Sequence, residues 1–282
     1  SSNVVTINPA SALASSTAFH ILIPATAFDD AATNSYAGIS SATVLNFVTG
    51  DSVAPTLTSS APTDGATGVG LNANIVLTFS EAVDVETGDI LIRTTVGDTL
   101  FETITHGGGL VSVSTNVVTI NPAGTFASST GYYLVIPSTF FDDASSNDYA
   151  GFSTKTVLNF TSADSVAPTL ASSSPADNAT GVAEGSNIVL TFSEVVDRES
   201  GNITIKKTSD NSTIEAIAVT DSKITGTGTN VITINPTANL ASSTEFYVLV
   251  DSSAFDDTSS NSYAGISSTT ALSFTTSDTV SP

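Results

Sequence analysis

Ile75-Val-Leu-Thr-Phe-Ser-Glu81 places Ile75, Leu77 and Phe79 on one side of an extended chain, and Val76, Thr78 and Ser80 on the other. A period of two is the signature of a β-strand, because successive side chains leave its backbone on opposite faces. The same seven residues recur as Ile188-Val-Leu-Thr-Phe-Ser-Glu194, 113 positions later. Whatever the strand builds, the chain builds it more than once.

Working outward, the repetition extends to the whole chain. Asp51-Ser-Val-Ala-Pro-Thr-Leu57 returns as Asp164-Ser-Val-Ala-Pro-Thr-Leu170, and Asp278-Thr-Val-Ser-Pro282 begins it again 114 positions on. Asn3-Val-Val-Thr-Ile-Asn-Pro9 matches Asn116-Val-Val-Thr-Ile-Asn-Pro122 and Asn230-Val-Ile-Thr-Ile-Asn-Pro236, and Phe28-Asp-Asp30 matches Phe141-Asp-Asp143 and Phe255-Asp-Asp257. The expected organisation is the C-terminal half of a repeat at 1–50, complete repeats at 51–163 and 164–277, and the start of another at 278–282. The first and last pieces, with no methionine anywhere, suggest an excised part of a longer array.

Within one repeat, strands are expected near 56–60, 75–80, 89–94, 100–105, 117–121, 132–136 and 156–160, separated by Gly, Asn, Asp, Pro and Ser turn signals. No segment carries a helical period. About seven strands in this length point to an all-β chain of tandem antiparallel β-sandwiches. The run Leu240-Ala-Ser-Ser-Thr-Glu-Phe-Tyr247 resembles the corner at which a sandwich strand crosses between sheets, with an aromatic near its start.

Composition narrows the function. With 282 residues and 40% hydrophobic the chain can bury a core in each repeat, yet it carries 27 acidic against 6 basic residues, a net charge of −21. Such a charge opposes nucleic acid and anionic membrane surfaces, and no stretch is long and apolar enough to span a bilayer. The absence of Cys removes disulfides and thiolate zinc sites, and two His leave little for histidine-based metal chemistry.

Ala54-Pro-Thr-Leu57, Asp177-Asn-Ala-Thr-Gly-Val182, Ile188 to Glu194, Ile232-Thr-Ile-Asn-Pro236 and Ala254-Phe-Asp-Asp257 together resemble bacterial Ig-like repeats. These occur in long, secreted surface proteins and adhesins. The resemblance covers the whole chain, and it implies Ig-like sandwiches acting as structural extenders at the cell surface or outside the cell.

An Ig-type strand order would bring the loop after the second strand and the last hairpin loop to the pole where the chain enters the domain. In the middle repeat that gathers Asp51, Glu81, Asp84, Asp142, Asp143 and Asn147; in the next, Asp164, Glu194, Asp197, Asp256, Asp257 and Asn261; the first piece retains Asp29 and Asp30. So many carboxylates repel unless a cation joins them, and calcium takes 6 to 8 oxygen ligands of these kinds. Against this, Asp and Asn are ordinary turn residues that bond their own backbone, and the loop lacks the EF-hand pattern. Both readings stay open here. If calcium is present, its expected effect is to fix the angle between successive repeats.

Enzymatic activity is not expected. Glu81 or Glu194 with a nearby Asp could be drawn as a glycosidase pair, but catalytic pairs are rarely copied with every domain, and no nucleophile elbow, phosphate loop or His-Glu-x-x-His motif occurs. His20 aligns with Tyr133 and Tyr247 and is expected to pack rather than to ligate; His106 precedes a glycine-rich loop and has no expected role. A Lys to Asn isopeptide bond is discounted because Arg93 and Thr94 stand where the next repeat has Lys206 and Lys207. Asn178, Asn202 and Asn211 open glycosylation sequons. Tyr36, Tyr149 and Tyr263 are expected to pack beneath their loops.

Residues 1–50 hold only the last three expected strands of a repeat, from Val4 to about Phe47, and would expose half a core. The expected partners are neighbouring repeats of the same chain and, if strands of another chain complete the half repeat, identical chains in a filament or sheath. The remaining alternative is a polysaccharide-binding or cell-adhesive module.

Overall fold

The computed structural model describes residues 3–281. Ser1, Ser2 and Pro282, at the outer edges of the first and last expected segments, lie outside the described residues. One compact unit ends at Ser162 and a second begins at Ala163; each is described by itself.

In the first unit, residues 3–50 contribute β1 (Ala18–His20) and β2 (Asn46–Val48), antiparallel with Phe19 opposite Phe47. The repeat that follows runs through β3 (Leu57–Ala61), β4 (Ala66–Val69), β5 (Ile75–Phe79), β6 (Asp84–Val85), β7 (Asp89–Thr94), β8 (Leu100–Thr105), β9 (Val111–Ser114), β10 (Val117–Ile120), β11 (Gly131–Val135), β12 (Phe141–Asp142) and β13 (Asn159–Ser162). One sheet has the order β3-β5-β10-β9, a second β4-β13-β11-β7-β8, and β12 pairs with β6 beside them. All pairings are antiparallel except β4 with β13.

The second unit repeats this plan with β14 (Leu170–Ser174), β15 (Ala179–Val182), β16 (Ile188–Arg198), β17 (Asn202–Lys207), β18 (Thr213–Ala218), β19 (Ile224–Thr225), β20 (Thr229–Ile234), β21 (Glu245–Val250), β22 (Phe255–Asp256) and β23 (Ser273–Thr276). Its sheets are β14-β16-β20-β19, with β22 against the far end of β16, and β15-β23-β21-β17-β18. The molecule is all-β, and among the described residues no helix is long and apolar enough to cross a membrane.

The decisive strand behaves as its period requires. Ile75, Leu77 and Phe79 are buried while Val76 and Thr78 are half-buried. The register sets Val118 opposite Leu77 and Ile120 opposite Ile75, and Ile90, Ile92, Leu134 and Phe160 face them within the same core. Phe79 packs against Phe141 and Tyr149, with ring centroids 5.3 and 5.1 Å away; Phe192 does the same with Phe255 and Tyr263 at 5.3 and 5.1 Å. Tyr149 and Tyr263 are buried under their loops as expected.

Four strands of the first complete repeat, β4, β6, β9 and β12, exceed the seven expected. Ala66-Thr-Gly-Val69 reads as a turn because Gly68 has φ +68°, yet it lies beside β13 once the sheet exists to receive it. β6 and β12 are two-residue pairings with no local signature of their own. Val111-Ser-Val-Ser114 does alternate, and its period was legible.

The first piece corrects three expectations: a strand at residues 4–7, a packed His20, and a Tyr36 enclosed beneath its loop, which is instead 43% exposed. Residues 4–7 form no strand, whereas β10, the equivalent segment, is held between β5 and β9. His20 lies on β1 but is exposed, whereas Tyr133 and Tyr247 are buried beside β7 and β17. Phe28, Tyr36 and Leu45, whose counterparts are enclosed, line an open groove with Val5 and Ile7.

Candidate metal centre

At the start of each complete repeat the chain delivers an aspartate to two loops of that same repeat. Asp51, Glu81 and Asp143 each offer a carboxylate oxygen within 4.8 Å of the others, and Asp164, Glu194 and Asp257 do the same. Glu81 follows the end of β5, where Ser80 accepts the Thr56 amide on its hydroxyl and so ties the linker to this corner. Asp143 follows β12. In both triads the linker aspartate and the glutamate are half-buried and the loop aspartate is buried.

Each carboxylate is held by its own surroundings. Asp51 Oδ1 accepts the Val53 amide at 3.0 Å and the Ser15 hydroxyl at 2.8 Å, and Asp164 Oδ1 accepts the Val166 amide at 3.0 Å. Asp143 accepts the amides of Ser145 and Asn147 on Oδ1, at 2.8 and 2.9 Å, and the Asn147 side-chain amide on Oδ2 at 2.8 Å. Asp257 bonds Ser259 and Asn261 in the same way. The turn chemistry considered from sequence is therefore present, and Asn147 and Asn261 serve it. It does not exhaust a carboxylate, which has about four lone-pair sites.

The electrostatics are those of crowded like charges. Desolvation, then Asp51 and Asp143, push the Glu81 carboxyl above its usual range; desolvation, then Asp257 and Asp164, do the same to Glu194. The amide of Val53 and the hydroxyl of Ser15 hold Asp51 low, and the bonds from Asn147 hold Asp143 low. Four of the chain's six cationic side chains are engaged elsewhere: Arg93 with Asp98 at 2.8 Å, Lys223 with Glu215 at 3.2 Å, Lys155 with the Thr95 carbonyl, and Arg198 with the Asp221 and Ile224 carbonyls. Three converging carboxylate oxygens fit a hard divalent cation, with carbonyls and water completing its shell.

The other sequence candidates are placed differently. Asp84 and Asp142 lie opposite each other in the β6–β12 pair, and Asp197 and Asp256 in the corresponding pair; none of the four belongs to a linker triad. Asp142 is buried, and its Oδ1 has no hydrogen-bond partner. Desolvation, followed by Glu86, Asp148, Asp84 and Asp143, raises its carboxyl. In the first piece Asp30 bonds Ala32 and Asn34 in the same turn and Asp29 bridges Ser35, and both are exposed. Sequence reasoning missed Ser15, Glu86 and Asp148. Glu86 stands two residues beyond Asp84, a strand-period signal; the others depend on distant pairing.

Residues 51–162 and 164–276 each match the family model described as Bacterial Ig-like domain. The chain belongs to this family. Tandem bacterial Ig-like domains support an extracellular or surface structural role. No curated protein is detectably similar to this Ig-like chain. Among solved structures, the N-terminal part of the bacterial S-layer protein SbsC is 15% identical with a TM-score of 0.29, over 67% of this chain and 42% of that one. The chicken CNTN1 FN1-FN3 domains are 12% identical with a TM-score of 0.25, over 89% and 76%. The fibronectin(III)-like modules of Clostridium thermocellum CbhA are 13% identical with a TM-score of 0.19, over 79% and 94%. The Ig-like chain thus spans less than half of the SbsC chain it matches, and likenesses this distant say nothing about ligand or partner.

Proposed function

We propose that this Ig-like chain is a structural extender of an extracellular bacterial surface protein, stiffened by calcium bound where the chain enters each repeat. The supporting observation is the convergence of Asp51, Glu81 and Asp143 and its recurrence at Asp164, Glu194 and Asp257. An ion shared by the linker aspartate and two loops restricts the direction from which the chain enters the repeat, and it removes the repulsion that crowding creates. No catalytic step is assigned to these carboxylates; their place in the module is mechanical.

The test is a comparison of the full chain in calcium and in chelator. Calcium is expected to raise Tm in both repeats, since an ion that binds only the folded state stabilises it by about 2.7 kcal/mol at 100 times its Kd. Asp164→Ala is expected to abolish that gain in the second unit while leaving it folded, and to broaden the distance distribution seen by small-angle scattering. Identical melting and scattering with and without calcium would sink the proposal.

A further inference from the structure

The middle repeat contains an acidic row that is distinct from its linker triad. β12 lies between β6 and the returning loop, with Asp142 opposite Asp84 on one side and opposite Asp148 on the other. Directly opposed residues on antiparallel strands project on one face, with Cβ atoms roughly 4.5–5.5 Å apart. Glu86, two residues after Asp84, falls on the same face. Asp143 is the next residue after Asp142 and so leaves the opposite face, toward Asp51 and Glu81. One dipeptide therefore serves two separate groups of carboxylates.

At the centre of the row, Asp142 is 8% exposed and its Oδ1 is enclosed without a hydrogen-bond partner. Asp84, Glu86 and Asp148 are all exposed around it. A buried carboxylate oxygen with nothing to accept is costly, and like charges opposed across strands add to the cost. A proton on Asp142 would neutralise one charge of four and leave the other three facing one another. A divalent cation would pair the enclosed oxygen and draw the exposed carboxylates inward. Among the described residues, only the linker triads already have three oxygens within 4.8 Å, so this row would close on the ion as it binds.

The other repeats lack the full set. In the second unit Asp197 lies opposite Asp256, but Ser262 stands in the place of Asp148, and Asp197 accepts the Thr227 hydroxyl at 3.2 Å. In the first piece Asp29 lies opposite Ser35. The fourth carboxylate and the unpartnered oxygen therefore occur together in one repeat.

We infer that Asp142, with Asp84, Asp148 and Glu86, forms a second divalent-cation site, which the middle repeat has and the next one does not. The inference goes beyond the linker ions and does not require them. Its test is the number of calcium ions bound per 282-residue chain at saturation, measured by equilibrium dialysis on wild type, Asp148→Ser, and the double variant Asp51→Asn with Asp164→Asn. Serine is the residue the other repeats carry at this position, so Asp148→Ser is expected to fold.

Wild type is expected to bind three ions, Asp148→Ser two, and the linker double variant one. Equal stoichiometry in wild type and Asp148→Ser overturns the second site and leaves a proton on Asp142 as its neutraliser. Loss of one ion in Asp148→Ser with no loss in the double variant keeps the second site and rejects the linker ions. A chain that binds no calcium rejects both. As a further readout, calcium should raise the protection of the amides of Phe141 and Asp142 in the linker double variant but not in Asp148→Ser; equal protection in the two counts against the site.

Discussion

Asn3-Val-Val-Thr-Ile-Asn-Pro9 and Asn116-Val-Val-Thr-Ile-Asn-Pro122 are the same seven residues in one molecule, and only the second contains a strand. Val118 and Ile120 are 0% exposed, while Val5 and Ile7 are 58% and 54% exposed. The contrast continues down the chain: Phe141 is enclosed by Phe79, and its counterpart Phe28 is 38% exposed. Local propensity is identical in the two copies. What differs is the presence of β5 and β9 on either side, which satisfy the backbone, and of β7 beside β11, which closes the core; β1, the counterpart of β11 in the first piece, pairs with β2 alone. Each large apolar side chain left uncovered forgoes about 1.5–3 kcal/mol. A β-strand is thus a property of a pairing, and the same alternating segment is a strand or an extended coil according to its neighbours.

Removing the cover from the complete copy should move it toward the incomplete one. Phe79→Ala takes the ring from between Phe141 and Tyr149 and is expected to destabilise the repeat by about 3–5 kcal/mol, read as a shift in urea midpoint at unchanged m. A cost under about 1 kcal/mol would mean that this ring does not organise the core. Hydrogen exchange compares the twin segments directly: amides of β10 should be protected by orders of magnitude over those of residues 4–7. Equal rates in the two would erase the contrast.

A finer difference separates the two complete repeats. The Ala127 amide donates to the Tyr132 hydroxyl at 2.9 Å, while Phe246 occupies the equivalent place in the second unit and has no hydroxyl. Tyr132→Phe is therefore expected to cost about 0.5–1.5 kcal/mol in the first repeat, and a neutral result would show that the corner is held by packing in both.

The smallest effect concerns pH. Because Glu81 is raised in the folded state, the fold binds that proton more tightly than the unfolded chain does. Its contribution is present below the ordinary glutamate range and is lost as pH rises through the raised value. In chelator, Glu81→Gln should lose that part of the acid-side gain and be slightly more stable than wild type at neutral pH. Asp51 and Asp143, both lowered, act in the opposite sense in wild type and variant alike. A Tm difference that does not change between acid and neutral pH would show that Glu81 feels no such crowding.

Much of this was readable beforehand. The period of Ile75, Leu77 and Phe79 pointed to a strand with one buried face, and the recurrence of Asp51, Glu81 and Asp143 pointed to one shared place. Two things were not readable. Asp142 and Asp143 are neighbours in sequence and were grouped together, but strand alternation sends them to different faces and different partners. Asp148 and Ser262 look like interchangeable loop residues until the bridge to Asp142 or Asp256 shows what each one faces.

From its sequence alone this chain is a repeated, acidic, all-β protein: periodicity, turn residues and charge are local or additive, so they survive being read one residue at a time. Which alternating segments became strands, which carboxylates met, and which oxygen was left enclosed without a partner were decided only by tertiary pairing. These are properties of distances between residues far apart in the chain, set by which strand lies beside which.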